Sequence, residues 1–432
     1  MTEKSKFTPV VSNLSYIVPQ TNEHYPNTIM RKLHIAMLSI HSSPLGRLGI
    51  RDTGGMSIYV RELARGLDEG GHQVDIFTAK SEAQGEPIIS LYQGVRLVYV
   101  GTGGGDEAAT EFPDTTEVDG IAANIEAFRR RTTGKYDLIH SNYWLSGRVG
   151  EILKSYWCCP HVITFHTLAS AKLTTAADHV EHSARLEQEQ HLVKTCDIVL
   201  APTATERRRL VDLNGRPTDR IHILGCGVDL QRFKPLPQAE KGLPGEGQRD
   251  IAQILFVGRF DPMKGLSDLL QSFTLLPEQP YGVELVLVGG DGPDSKSWQN
   301  LVAQAEKLGL REHVHFLGRV EHEQLTIYYN KADIVVIPSR YESFGLVALE
   351  ALACGTPVAA TRVGVAADII EPGVNGYLAD PGDPATLASA IHSTLALMEK
   401  GDRQRIRSTA ENFGWENVAN DLIDVYNNSL NT

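Results

Sequence analysis

Short runs of β-branched and other apolar residues alternate with longer stretches in which apolar positions recur every three or four residues, and this holds along almost the whole chain. The short runs predict strands at Leu33–Ile40, His72–Ala79, Val95–Val100, Asp137–Ser141, His161–Phe165, Asp197–Ala201 and Arg220–Leu224. They resume at Gln253–Val257, Glu284–Val288, His313–Leu317, Asp333–Pro338 and Pro357–Ala360. Strands spaced by helical periodicity predict parallel sheets with helices on both faces, because a parallel connection needs a crossover long enough to hold a helix. Between the two sets the pattern stops. Lys234–Asp250 (KPLPQAEKGLPGEGQRD) is rich in proline, glycine and charge and reads as a linker.

The two sets echo each other: CDIVLAPT at Cys196–Thr203 matches ADIVVIPS at Ala332–Ser339, each a buried strand running into a proline turn. The expected fold class is therefore α/β, with two Rossmann-like, doubly wound parallel-sheet domains facing a cleft. The expected boundaries are 1–233 for the first domain, with an irregular leader over 1–32, then a linker over 234–250 and a second domain over 251–402. Helices within 403–432 are expected to cross back to the first domain.

One helical segment breaks the rule that apolar faces carry apolar residues. From Phe344 to Cys354 every side chain except Glu350 is apolar or absent, so the helix predicts burial all round and takes one carboxylate with it. An unpaired buried carboxylate costs several kcal/mol and demands hydrogen-bond donors. A vicinal diol such as a ribose supplies two. The start of this helix, beside Glu342, Ser343 and Gly345, presents free backbone N–H groups that suit an anion. Six residues of helix put the two features about 9 Å apart, the proportions of a nucleotide-sugar site.

Composition narrows the partners. The chain has 432 residues, too many for one ordinary core, and a net charge of −12, which disfavours nucleic acid or an anionic membrane as the main partner. The five cysteines form no CxxC pair and are odd in number, as expected of a reduced, cytoplasmic protein. No apolar run reaches membrane-spanning length, so stable membrane insertion is not expected.

Candidate chemistry falls at the predicted carboxyl ends of strands, where doubly wound sheets bind ligands. Gly54 and Gly55 precede a helix with apolar positions Ile58, Leu63 and Leu67, and they let the backbone approach a phosphate. VGRFDPMKG at Val257–Gly265 leaves a strand with Arg259 and Lys264 five residues apart around a proline turn, a pair suited to a pyrophosphate. His166 ends another strand; Lys172 and Arg185 beyond it suit a second anion. GTGGGD at Gly101–Asp106 reads as a loop, Asp291 and Asp294 lack a third metal ligand, and His179 and His182 lack the spacing of a zinc pair.

Taken together, these residues resemble the retaining group-1 glycosyltransferases, the family with two Rossmann domains in the GT-B arrangement, over about residues 33–430. Glu342 and Glu350 match the E-x7-E motif within PSRYESFGLVALEALACGTPV. GGMS, VGRFDPMKG and GCGVDLQRFKP at Gly225–Pro235 match further family segments. The resemblance implies a UDP- or other NDP-sugar donor held by the C-terminal half. Arg259 and Lys264 would take the pyrophosphate and Glu350 the ribose. Glu342 with Phe344, Gly345, Leu346 and Val347 would contact the donor sugar and phosphate, while His166, Gly54 and Gly55 reach across from the first domain. His166, Glu342, Arg259 and Lys264 form the implied catalytic set. No cofactor or catalytic metal is implied, and homo-oligomerisation stays open.

Within the family, HSNYWLSG at His140–Gly147 and HTLASAK at His166–Lys172 look most like the inositol-phosphate N-acetylglucosaminyltransferases of mycothiol synthesis and the sucrose-phosphate synthases. In both groups the acceptor carries a phosphate, which implies an acceptor site of Tyr143, Thr167, Lys172 and Arg185. Two positions depart from the mycothiol enzymes: Ser57 stands for an asparagine and Asn142 for a histidine. The leading expectation is retaining hexosyl transfer from UDP-glucose, UDP-GlcNAc or a related donor to a small phosphorylated sugar or polyol. A nucleotide-sugar-binding protein without turnover and a transferase acting on a lipid or polysaccharide are the alternatives. An NAD-dependent oxidoreductase is disfavoured because neither half carries GxGxxG.

Overall fold

The structure is a computed structural model in which residues 31–46, 54–79, 88–101, 115–132, 134–170, 183–214, 218–237, 251–278, 282–398 and 402–430 are described. The expected leader (apart from Arg31 and Lys32), most of the expected linker, the Gly101–Asp106 loop after its first residue, Lys172, His179 and His182 lie outside the described residues.

Two sheets carry the fold. The first contains β1 (His34–Leu38), β2 (Gln73–Ala79), β3 (Ile88–Tyr92), β4 (Val95–Val100), β5 (Leu138–Asn142), β6 (His161–Thr164), β7 (Ile198–Ala201) and β8 (Ile221–Ile223) in the order β3-β4-β2-β1-β5-β6-β7-β8. The second contains β9 (Ile251–Gly258), β10 (Gly282–Gly289), β11 (Val314–Gly318), β12 (Ile334–Ile337), β13 (Val358–Thr361) and β14 (Gly376–Ala379) in the order β11-β10-β9-β12-β13-β14. Every pairing is parallel except that of β3 with β4. The strands buried on both faces are the near-continuous apolar runs, such as Ile334–Ile337.

Four helices shape the cleft and its support: α1 (Gly55–Glu69) and α2 (Ser183–Thr195) on the first sheet, α3 (Leu346–Ala353) on the second, and α4 (Trp415–Leu430) near the C-terminus. α4 lies against α1 so closely that a Cβ on Gly66 would stand 2.7 Å from the Cβ of Ala419. Its Tyr426 hydroxyl meets Nδ1 of the buried His140 on β5 at 2.6 Å. The chain thus returns from the second sheet to pack on the first. Beside this crossing runs the earlier passage between the sheets, where Val228 bridges Gly414. Arg407 ties the two together by donating to the carbonyls of Leu230, Phe233 and Ala353. Four of the five cysteines are buried and all five are free thiols.

Candidate active site

In both sheets the strand order reverses at one point, between β1 and β5 in the first and between β9 and β12 in the second. A crevice opens where the connections diverge to opposite faces, so ligands settle outside the carboxyl ends of those strands. The candidate residues come from these connections and from the end of β6.

Arg259 follows β9. Asp261 then accepts from the Met263 N–H at 2.8 Å and caps a single 3-10 turn, Pro262–Lys264. Gly265 closes it with φ of 67°, and a Cβ there would lie 1.9 Å from the Pro338 carbonyl oxygen, so only glycine allows the turn to press against the loop after β12. That contact delivers Lys264 to the second loop, where its Nζ donates to Glu342 Oε2 at 2.5 Å. The Arg259 guanidinium is half exposed and 3.9 Å from Asp261.

Gly345, with φ of 82°, starts α3, and a Cβ at this position would meet Val365 Cγ1 at 2.8 Å. The preceding Phe344 ring packs 5.0 Å from Tyr59 of α1 and 5.1 Å from His166. Leu346 Cδ1 lies 3.4 Å from where a Gly55 side chain would begin. The N-termini of α1 and α3 therefore meet across the cleft, each with the equivalent of roughly half a positive charge. Lys264 reaches the same loop through Glu342, which lies beside Gly345 at the start of α3.

His166 sits at φ of 61°, buried, with Nε2 2.8 Å from Asn142 Oδ1. Asn142 Nδ2 donates to the Leu38 carbonyl, so its oxygen is the atom facing the imidazole. His166 must then carry its proton on Nε2. Its Nδ1 is an acceptor, buried and without a hydrogen-bond partner among the described residues. Burial, and then the neighbouring His140, push its pKa down to about 3, which keeps the ring neutral.

Tyr143, Thr167 and Arg185 are brought together. The Arg185 guanidinium lies over the Tyr143 ring at 5.0 Å and donates to the Thr167 carbonyl at 3.0 Å. Arg185, expected as an anion-reading cation, is held inside the protein. It is 2% exposed and forms an ion pair with Glu189 at 2.9 Å, one helical turn along α2, so its charge is already matched. This i, i+4 spacing is readable in the sequence.

Glu350 has partners within the protein that the sequence does not show. The carboxylate is buried, 3% exposed, but its donors are internal: His322 Nε2 lies 2.6 Å from Oε1 and the Tyr329 hydroxyl donates to Oε2 at 2.7 Å. Burial alone therefore does not demand a diol. The sequence points to neither partner, because they sit 28 and 21 residues away with no motif linking them.

Among the described residues no group of three or more His, Cys, Asp or Glu side chains is placed to hold a metal. Asp291 pairs with Arg319 at 2.8 Å. A cavity of about 320 Å³ on the second sheet, lined by Gln253, Glu284, His315, Tyr328 and others, shares no lining residue with the cleft. Among the described residues no helix is long and apolar enough to cross a membrane.

Comparison with known proteins agrees with this geometry. The profile described as glycosyl transferases group 1 matches residues 246–413, and that described as glycosyltransferase family 4 matches residues 53–232. A D-inositol 3-phosphate glycosyltransferase of Xylanimonas cellulosilytica is 37% identical over 409 residues, covering 91% of this chain and 96% of that protein. The enzyme of the same name from Mycobacterium bovis is 36% identical, covering 92% and 83%. Sucrose-phosphate synthase from Thermosynechococcus elongatus superposes with a TM-score of 0.79 at 30% identity, covering 92% of this chain and 99% of that one. With its two sheets, its cleft and likenesses that span nine-tenths of its length, the chain belongs to the group 1 glycosyltransferases.

Proposed function

We propose that the protein transfers a hexose from an NDP-sugar, UDP-glucose or UDP-GlcNAc being the preferred candidates, to a small phosphorylated sugar or polyol with retention at the anomeric carbon. The observation that carries the donor half is the meeting of two helix N-termini beside Lys264 and Arg259. Charge builds on the leaving diphosphate as the glycosidic bond breaks. Fixed N–H dipoles and cations aimed there lower the barrier without reorganising. In this reading Lys264 and Arg259 do the work that a divalent ion does elsewhere, and no metal is required. Glu342 holds Lys264 in place and contacts the sugar with the backbone from Phe344 to Val347, and Glu350 takes the ribose. The incoming hydroxyl attacks from the face the diphosphate leaves, and a phosphate oxygen accepts its proton.

Support for a phosphorylated acceptor comes from two sides. Relatives named for inositol 3-phosphate and for sucrose phosphate cover nearly the whole chain. The Tyr143, Thr167 and Arg185 cluster stands beside His166 at the end of β6. In this reading the acceptor phosphate is held by Lys172 together with Arg185, whose guanidinium is oriented by Glu189 at 2.9 Å. The assigned compartment is the cytoplasm, in keeping with five free thiols.

The test incubates the protein with UDP-, GDP- and ADP-sugars and a set of phosphorylated and unphosphorylated inositols and hexoses, with and without EDTA, scored by product mass. A glycosylated phosphate ester, formed equally in EDTA, supports metal-independent transfer to a phosphorylated acceptor, and the anomeric proton coupling of that product reads retention. Product only from unphosphorylated, lipid or polysaccharide acceptors overturns the acceptor assignment. Nucleotide binding with no product from any acceptor makes the chain a binding protein.

A further inference from the structure

Glu350 belongs to the second sheet, yet its donors connect it to the passage between the sheets. His322 is 5% exposed and packs edge-on against Phe233 at 5.2 Å, and the Phe233 ring lies 5.9 Å from that of Tyr329. Arg232, next to Phe233, places Nη1 3.4 Å from His322 Nδ1. A guanidinium can only donate, so Nδ1 must accept, and the proton of a neutral imidazole is left on Nε2, facing Glu350. Tyr329 is completely buried, and desolvation together with Glu350 raises its pKa well above that of a free phenol, so its hydroxyl stays protonated and always donates.

Each carboxylate oxygen thus receives one donor, His322 Nε2 on Oε1 and the Tyr329 hydroxyl on Oε2. The plane of the carboxylate is fixed, and each oxygen keeps a further lone pair. We propose that His322, with its tautomer set by Arg232 of the interdomain passage, and Tyr329 are positioning residues that hold Glu350 in the one orientation able to receive a vicinal diol. The proposal rests on the assignment of Glu350 to the ribose. It adds that the grip on the nucleoside depends on the segment joining the domains. A carboxylate free to rotate would accept one hydroxyl at a time, and the geometric gain of a two-point contact would be lost.

The experiment measures binding by calorimetry of whichever of UDP, GDP and ADP the wild-type protein binds most tightly, and of its 2′,3′-dideoxy counterpart. The ratio of the two dissociation constants reads the diol contact alone. Wild type should favour the ribonucleotide by about tenfold or more, the usual size of a lost hydrogen bond to a charge. Glu350→Gln should shrink that ratio several-fold. If it does not, the ribose assignment itself fails. With that arm positive, His322→Leu and Tyr329→Phe should shrink the ratio comparably, with the dideoxy nucleotide binding almost as in wild type. His322→Gln, whose amide N–H can reach the same oxygen, should restore most of it. A purely structural role predicts equal weakening of both nucleotides, or an unchanged ratio in His322→Leu. Either result, alongside a positive Glu350→Gln, overturns the positioning role and leaves the ribose contact standing. Should the His322→Leu protein fail to fold, Tyr329→Phe, which removes one oxygen and no volume, decides alone.

Discussion

At the residue scale the cleft separates groups by what holds them. Lys264 and Glu342 are a part-exposed pair, with side chains 25% and 20% accessible, so water screens their attraction and the pair adds little to stability, under about 1 kcal/mol. In the proposed reaction the same ammonium would face the charge that builds on a leaving diphosphate, where a fixed cation is worth far more. Lys264→Ala should therefore lower kcat/KM by about a hundredfold or more while the melting temperature moves by no more than about 2 °C. Equal losses in both would mark the lysine as a fold element. His166 is the opposite case, wholly buried and neutral because of its surroundings. Asn142→Asp would put a carboxylate 2.8 Å from Nε2, raise the imidazole pKa from about 3 and protonate Nδ1 as the pH falls. The expected result is an acid limb in kcat/KM between pH 5 and 7 that is steeper than that of wild type. A parallel profile for the two proteins would show that the Nδ1 acceptor takes no part in turnover.

At the element scale, close backbone approach decides what the helices tolerate. Gly66 on α1 faces Ala419 and the Trp415 carbonyl, with 2.7 and 3.3 Å left for a Cβ. Replacing a helical glycine gains up to about 1 kcal/mol of propensity, but wedging a large side chain between two backbones costs about 1–3 kcal/mol, and more when neither can move. Overpacking wins. Gly66→Leu should lower stability and expose α4 to limited proteolysis, and an unchanged cleavage pattern would mean that the α1–α4 seam is looser than the distances indicate. Legibility also divides at this scale. The strands legible in the sequence are apolar runs such as Ile254–Val257 and Ile334–Ile337, whose burial on both faces suppresses alternation. Two strands escape the pattern. β3 is an antiparallel edge joined to β4 by Gln93 and Gly94 with no helix between, so it falls outside the strand–helix rhythm. β14 is four residues set in PGVNGYLADPGD, where turn chemistry masks it. The carboxyl-end residues are legible because strand ends can be counted from the pattern. His322 and Tyr329 are not, because tertiary packing alone brings them to Glu350. Arg185 stands out in the sequence and Glu189 does not, although one helical turn separates them.

Across the whole molecule, the first sheet has a histidine layer that sets its response to acid. His140 on β5 and His161 and His166 at the two ends of β6 are 0%, 1% and 6% exposed, and burial pushes each pKa down to about 3. In the unfolded chain the same imidazoles titrate near 6.5. Above about pH 6.5 both states are neutral and nothing depends on pH. As the pH falls below that, the unfolded chain takes up protons that the native state refuses, so stability drops by up to about 1.4 kcal/mol per pH unit for each ring. Three rings acting together remove about 5 kcal/mol between pH 6.5 and 5, a large part of the 5–15 kcal/mol typical of a domain. The buried carboxylates work in a different window. Asp75 and Glu126, each lowered to about 2 by hydrogen bonds and arginine partners, keep their contribution above the ordinary carboxylate range and lose it only as the pH falls from about 4 toward 2. The interval from pH 6.5 to 5 therefore lies above the window of Asp75 and Glu126. Urea midpoints measured across it should fall steeply. A flat series would mean that these rings accept protons in the native state, and a neutral His166 with a free Nδ1 acceptor could not be sustained.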